Sequence, residues 1–104
     1  MSIPSVTEVT TQQAILENRN ILIVDDERQI RRFLRIGLET EGYRIVEAER
    51  GNEAIAHVAQ QRPGLVILDL GLPDMDGAEV LRRLREWTQV PVIILSVRDG
   101  EQEK

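Results

Sequence analysis

Four short apolar runs recur along this chain, "ILIV" at 21–24, "YRIVEA" at 43–48, "LVIL" at 65–68 and "VPVIIL" at 90–95. Their length and β-branched content mark them as strands, and the three unbroken runs read as strands buried on both faces. Helical patterns fill the intervals. Ile30, Phe33, Leu34, Gly37 and Leu38 follow i, i+3, i+4, i+7, i+8 spacing, with Arg31, Arg32, Arg35 and Glu39 on the other faces and Gly42 placed to stop the helix. Ala54, Ile55, Val58 and Ala59 form a second stripe, ended by Arg62-Pro63-Gly64, and Val80, Leu81, Leu84 and Trp87 a third. Such alternation predicts an α/β fold, a doubly wound parallel sheet with helices on both faces and right-handed crossovers. The strand–helix units begin at 21, 43, 65 and 91; only "SVRDGEQEK" follows the fourth strand, enough to open a helix at Asp99 but not to add a strand.

Composition narrows the class. A chain of 104 residues is at most one small domain, and with 3% aromatic residues its core has to be built from Ile, Leu and Val. The absence of cysteine excludes disulfides and thiolate metal sites. A net charge of −5 suits a nucleic-acid surface poorly. No run approaches the length of a membrane span and the N-terminus lacks a signal-peptide core, so a cytoplasmic protein without membrane contact is expected. Residues 1–19 are polar and read as a flexible extension.

The acids sit where chemistry is expected. Ligands of open α/β sheets bind beyond the carboxyl ends of the strands, near the point where strand order reverses. The first run ends in Asp25-Asp26, the third in Asp69 and the fourth in Ser96. If the first, third and fourth strands are neighbours, their ends lie about 5 Å apart per step, and Asp25, Asp26 and Asp69 would share one gap. Such a cluster requires either a proton on one carboxylate or a divalent cation among them, and an all-oxygen donor set suits magnesium. His57 reads as an ordinary helix-flank residue.

Structural roles compete for several of these acids. Asp76 with Glu79 fits a capping box, and Asp26 with Gln29 fits another, opening the first helix. Asp74 after Pro73 fits a turn former, and Ser96 alone is equally a small turn residue. Asp69 stands apart, at the end of a buried strand with no helix directly after it, and is the residue on which chemistry is expected to centre.

"ILIVDDE", "LVILDLGLPDMDG" and "VPVIILS", in this order and spacing, resemble the receiver domain of two-component response regulators from about Asn20 onward, closest to the winged-helix DNA-binding branch. The resemblance implies a flavodoxin-like sheet of order 2-1-3-4-5. It implies Asp69 as phospho-acceptor from a sensor histidine kinase. Mg²⁺ would be held by Asp26 directly, by Asp25 through water, by Asp69 and by the carbonyl of Gly71. Ser96 would hydrogen-bond the phosphoryl group and act as the switch. DNA would be reached only through a separate domain.

The family also places a lysine at the end of a fifth strand, whereas the only lysine here is Lys104, at the start of the fourth helix by position. Residues 20–104 therefore read as an incomplete receiver, of strand order 2-1-3-4, lacking the fifth strand and last helix. An apolar fourth-strand edge would then invite self-association. Two alternatives stand beside a phospho-accepting signalling module. One is a receiver fragment that only docks a partner. The other is a Mg²⁺-dependent phosphatase with an aspartate nucleophile, disfavoured because Asp69 is followed by Leu70 and Gly71 rather than a second Asp one residue on.

Overall fold

The computed structural model describes residues 18–95. Strands β1 (Asn20–Val24), β2 (Arg44–Ala48), β3 (Leu65–Asp69) and β4 (Val92–Leu95) alternate with helices α1 (Arg28–Thr40), α2 (Gly51–Gln61) and α3 (Gly77–Leu84). All strand pairs are parallel, in the order β2-β1-β3-β4. This is the doubly wound arrangement that the alternation predicted, in the flavodoxin-like order that the resemblance implied. The expected extension 1–19 lies almost wholly outside the described residues, as do Ser96, Asp99 and Lys104. Among the described residues, no helix is long and apolar enough to cross a membrane.

The two faces of the sheet carry separate aliphatic cores, because successive strand residues point to opposite sides. Leu22, Val24, Ala48, Val66 and Leu68 meet Ala54 and Val58 of α2 and Val80 and Leu84 of α3. On the other side Ile21, Ile23, Ile45, Leu65 and Ile67 pack against Leu34 and Leu38 of α1. Each fully buried aliphatic side chain contributes about 1.5–3 kcal/mol, so the two central strands β1 and β3 anchor the fold. β4 is one of the unbroken apolar runs, but its place at the end of the order 2-1-3-4 leaves it the exposed apolar edge expected of that order. Ile93 and Ile94 are exposed there.

Helix α1 is rotated from the orientation its apolar spacing predicts. Phe33 is 76% exposed and Ile36 is exposed, while Arg31, expected on an outer face, is only 6% exposed. The face toward the sheet is Arg31, Leu34 and Leu38, and the reason lies in the partners that Arg31 finds on β2. Gly42, with φ +94, ends α1 as expected by taking a conformation that side chains avoid, while its amide donates to the Glu39 carbonyl. The third stripe ends early: α3 stops at Leu84, and Trp87 sits half-exposed in the turn beyond it.

Candidate metal centre

β1 and β3 are neighbours, and the pairing Val24↔Leu68 brings the next residues, Asp25 and Asp69, side by side at the carboxyl end of the sheet. Asp26 follows in the β1–α1 turn. One carboxylate oxygen from each of Asp25, Asp26 and Asp69 lies within 4.8 Å of the other two. Asp25 and Asp69 are 1% and 2% exposed, whereas Asp26 opens to solvent.

Asp25 is held from several directions. Its amide donates to the Ala48 carbonyl (3.0 Å), and its Oδ1 accepts from the Glu27 amide (2.8 Å). Its Oδ2 is buried with no hydrogen-bond partner among the described residues. Burial pushes the Asp25 carboxyl above its ordinary value. The Glu27 amide pulls it back, and the charges of Asp69 and Asp26 push it up again. A buried acid with an open oxygen, facing two other carboxylates, fits a hard divalent cation with oxygen ligands.

Gly71 opens the loop after β3, which is closed by a bridge between Gly71 and Asp76 and by the Gly77 amide donating to the Leu70 carbonyl (2.8 Å). Gly77 has to be glycine, since a Cβ there would lie 2.5 Å from the Asp69 carbonyl oxygen. The loop that carries Asp69 is thus pressed directly against the start of α3.

The structure corrects both capping boxes. Asp76 is the N-cap residue of α3 but its side chain makes no cap bond, and the Glu79 carboxylate that would complete the box turns away to Arg82 and Arg83. Glu27, not Asp26, is the N-cap residue of α1, and its own side chain makes no cap bond. Asp26 is left to the cluster. Asp74 does more than form a turn: its carboxylate accepts from the amides of Gly51 (2.7 Å) and Asn52 (3.0 Å), capping α2 across the fold. Desolvation pushes the Asp74 carboxyl up, but these two amides outweigh it and the net shift is downward. His57 lies on α2 beside Gln61, as expected of a helix-flank residue.

Arg31, Arg35, Glu47 and Glu49 form a further network beside the cluster, which local sequence pattern does not predict. Arg31 donates through Nε to Glu47 (2.8 Å), through Nη2 to Glu49 (3.2 Å) and through Nη1 to the Asp25 carbonyl (2.7 Å). Glu47 also accepts from Arg35. Burial pushes the Glu47 carboxyl up, but its bonds from Arg31 and Arg35 bring it below the usual range. The available signal was the "EAE" at the end of the second strand, one strand away from Asp25-Asp26.

A parallel sheet of this order, with three acids gathered at the ends of its central strands, is the arrangement that the resemblance to a receiver domain implied. Residues 21–104 match the response regulator receiver domain, and the chain belongs to that family. It is 54% identical over 85 residues to the KDP operon transcriptional regulatory protein KdpE of Escherichia coli (strain K12), covering 82% of this chain and 38% of that protein. It is 49% identical over 84 residues to the transcriptional regulatory protein KdpE of Mycobacterium tuberculosis, covering 81% and 37%. Among solved structures, it is similar to the BeF3-activated N-terminal receiver domain of Klebsiella pneumoniae RstA (TM-score 0.74, 30% identity, covering 81% of this chain and 72% of that one). It is also similar to response regulator TrrA of Thermotoga maritima, in complex with Mg(2+)-BeF (TM-score 0.73, 36% identity, 83% and 76%). The chain spans under two fifths of the length of the curated relatives it matches.

Proposed function

We propose that Asp69 accepts a phosphoryl group from a sensor histidine kinase in a Mg²⁺-dependent transfer, within a potassium-responsive transcriptional regulator of the KdpE kind. The observation that carries this reading is the convergence of Asp25, Asp26 and Asp69, with one buried oxygen of Asp25 left open. The Mg²⁺ named for the TrrA structure supports it. Asp26 would bind the ion directly, Asp25 through water, and Asp69 and the carbonyl of Gly71 would complete the protein donors. Ser96, beyond the described residues, would hydrogen-bond the transferred group and carry the switch. DNA would be engaged by a separate domain, as the names of the relatives as transcriptional regulators suggest.

The chemistry follows from the residues. A carboxylate oxygen of Asp69 attacks phosphorus as the P–N bond to the kinase imidazole breaks. The bonding pair stays on that nitrogen, and the product is an acyl phosphate. Mg²⁺ held by these acids would supply the positive charge that neutralises the phosphoryl oxygens. Burial of Asp69 keeps the nucleophile in one orientation at a strand end, and the tight loop closed at Gly77 prevents it from swinging away. Exchange of one carboxylate charge for a doubly charged group then reorganises the adjoining loops.

Intact mass after incubation with Mg²⁺ and acetyl phosphate tests the reading. One phosphate adduct is expected on the wild type and none on Asp69→Asn. An adduct that persists in Asp69→Asn, or no adduct on a folded wild type, would contradict it.

A further inference from the structure

We infer that Arg31 is a positioning residue of the acidic site, fixing the main chain of Asp25 so that its carboxylate presents a single open oxygen to the gap. The inference rests on the reading of this site as a Mg²⁺ centre. All but one of the polar atoms of Asp25 are engaged. The amide is taken by Ala48, Oδ1 by the Glu27 amide and the carbonyl by Arg31, leaving Oδ2. Every group that could let this residue rotate is tied to a different element: β2, the β1–α1 turn and α1.

The manner in which Arg31 is held argues for this role over simple attachment of α1 to the sheet. A buried guanidinium needs compensating carboxylates, and Glu47 and Glu49 supply them at 2.8 and 3.2 Å. Attachment requires no more than that. The remaining arm makes the shortest of the three bonds, 2.7 Å, to the carbonyl of a residue in the acidic cluster. The planar fork of arginine reaches all three acceptors at once, which a lysine ammonium cannot do in the same geometry. Helical side chains lean toward the N-terminus of their helix, so a residue in the first turn of α1 is suitably placed to reach back under the β1–α1 turn.

The test compares Arg31→Met with the double variant Glu47→Gln/Glu49→Gln in the full chain. Two quantities are read: Mg²⁺ affinity by calorimetry, and hydrogen exchange of the Glu27 amide without metal, scaled to core amides of β1. Partners that orient metal ligands typically contribute 10–100-fold to affinity. Arg31→Met is expected to weaken Mg²⁺ binding about tenfold and to speed Glu27 exchange by a similar factor. The double glutamine variant should lose thermal stability yet hold Mg²⁺ within about twofold of wild type, because the carbonyl contact survives. Should Arg31→Met fail to fold, Arg31→Lys takes its place, with a severalfold effect in the same direction. Unchanged affinity and Glu27 protection in the Arg31 variant, or equal weakening in both variants, would overturn the inference. If the wild type binds no Mg²⁺, the metal reading fails and Glu27 exchange alone decides: faster only in the Arg31 variant supports the clamp, equal in both refutes it.

Discussion

Asp25, Asp26 and Asp69 bring three carboxylate oxygens within 4.8 Å of one another at the end of the sheet, two of the residues buried. On α3, by contrast, acids and bases interleave in solvent: Glu79 accepts from Arg82 (2.8 Å) and Arg83 (2.7 Å), and Arg82 also pairs with Glu86 (2.9 Å). Asp25 and Glu79 shift in opposite directions. Burial raises the Asp25 carboxyl, and the neighbouring guanidinium groups hold Glu79 at about 2. The exposed network already satisfies itself, and solvent leaves it little to add to stability. The buried cluster is unfavourable until something positive arrives, which is what a binding site requires.

The largest consequence concerns Mg²⁺. At a hundred times its dissociation constant the ion should stabilise the wild type by about 2.7 kcal/mol, and thermal melts of Asp25→Asn and Asp69→Asn should show little of that gain. Without metal, Asp25→Asn should be more stable than wild type at neutral pH by about 1 kcal/mol, since it removes a buried charge among like charges. The sign with pH follows from the raised carboxyl. The folded chain binds that proton more tightly than the unfolded one, so the penalty is absent below the ordinary carboxylate range and complete above the raised value. Chemical denaturation at several pH values should therefore show the advantage of Asp25→Asn shrinking as pH falls.

A smaller effect is expected at Asp74, whose carboxylate caps α2 from the neighbouring loop. Asp74→Ala should lose about 0.5 kcal/mol in urea melts, the low end for an exposed cap. Smallest of all, Glu79→Gln should leave the thermal midpoint unchanged within error at neutral pH. Any contribution of Glu79 in the wild type is present above its ordinary value of 4.5 and disappears as pH falls toward about 2.

Strand positions and the acids at the ends of β1 and β3 were legible in the sequence because both are local features, whereas the sheet order that brings Asp25, Asp26 and Asp69 together was implied by the resemblance to the receiver family. What local pattern could not convey was orientation and distant partnership. The apolar spacing of α1 points Phe33 inward, yet two glutamates at the end of β2 draw Arg31 to that face and leave Phe33 in solvent. Asp26-Gln29 and Asp76-Glu79 match a capping box by spacing alone. In the fold, the N-cap of α1 is Glu27, one residue past Asp26, and Glu79 finds stronger partners in two arginines. Asp74 caps a helix that begins 23 residues earlier; no window along the chain contains both partners.

The central claim is that Asp69, of the acids at 69, 74 and 76, is the one that carries chemistry. Its most direct test is reduction of the acetyl phosphate-treated, Mg²⁺-loaded chain with borohydride, which converts an aspartyl phosphate to homoserine, followed by peptide mass mapping. Homoserine at position 69 alone is the predicted result. Homoserine at 74 or 76, or at no position in a chain shown to be folded and to bind Mg²⁺, would contradict it.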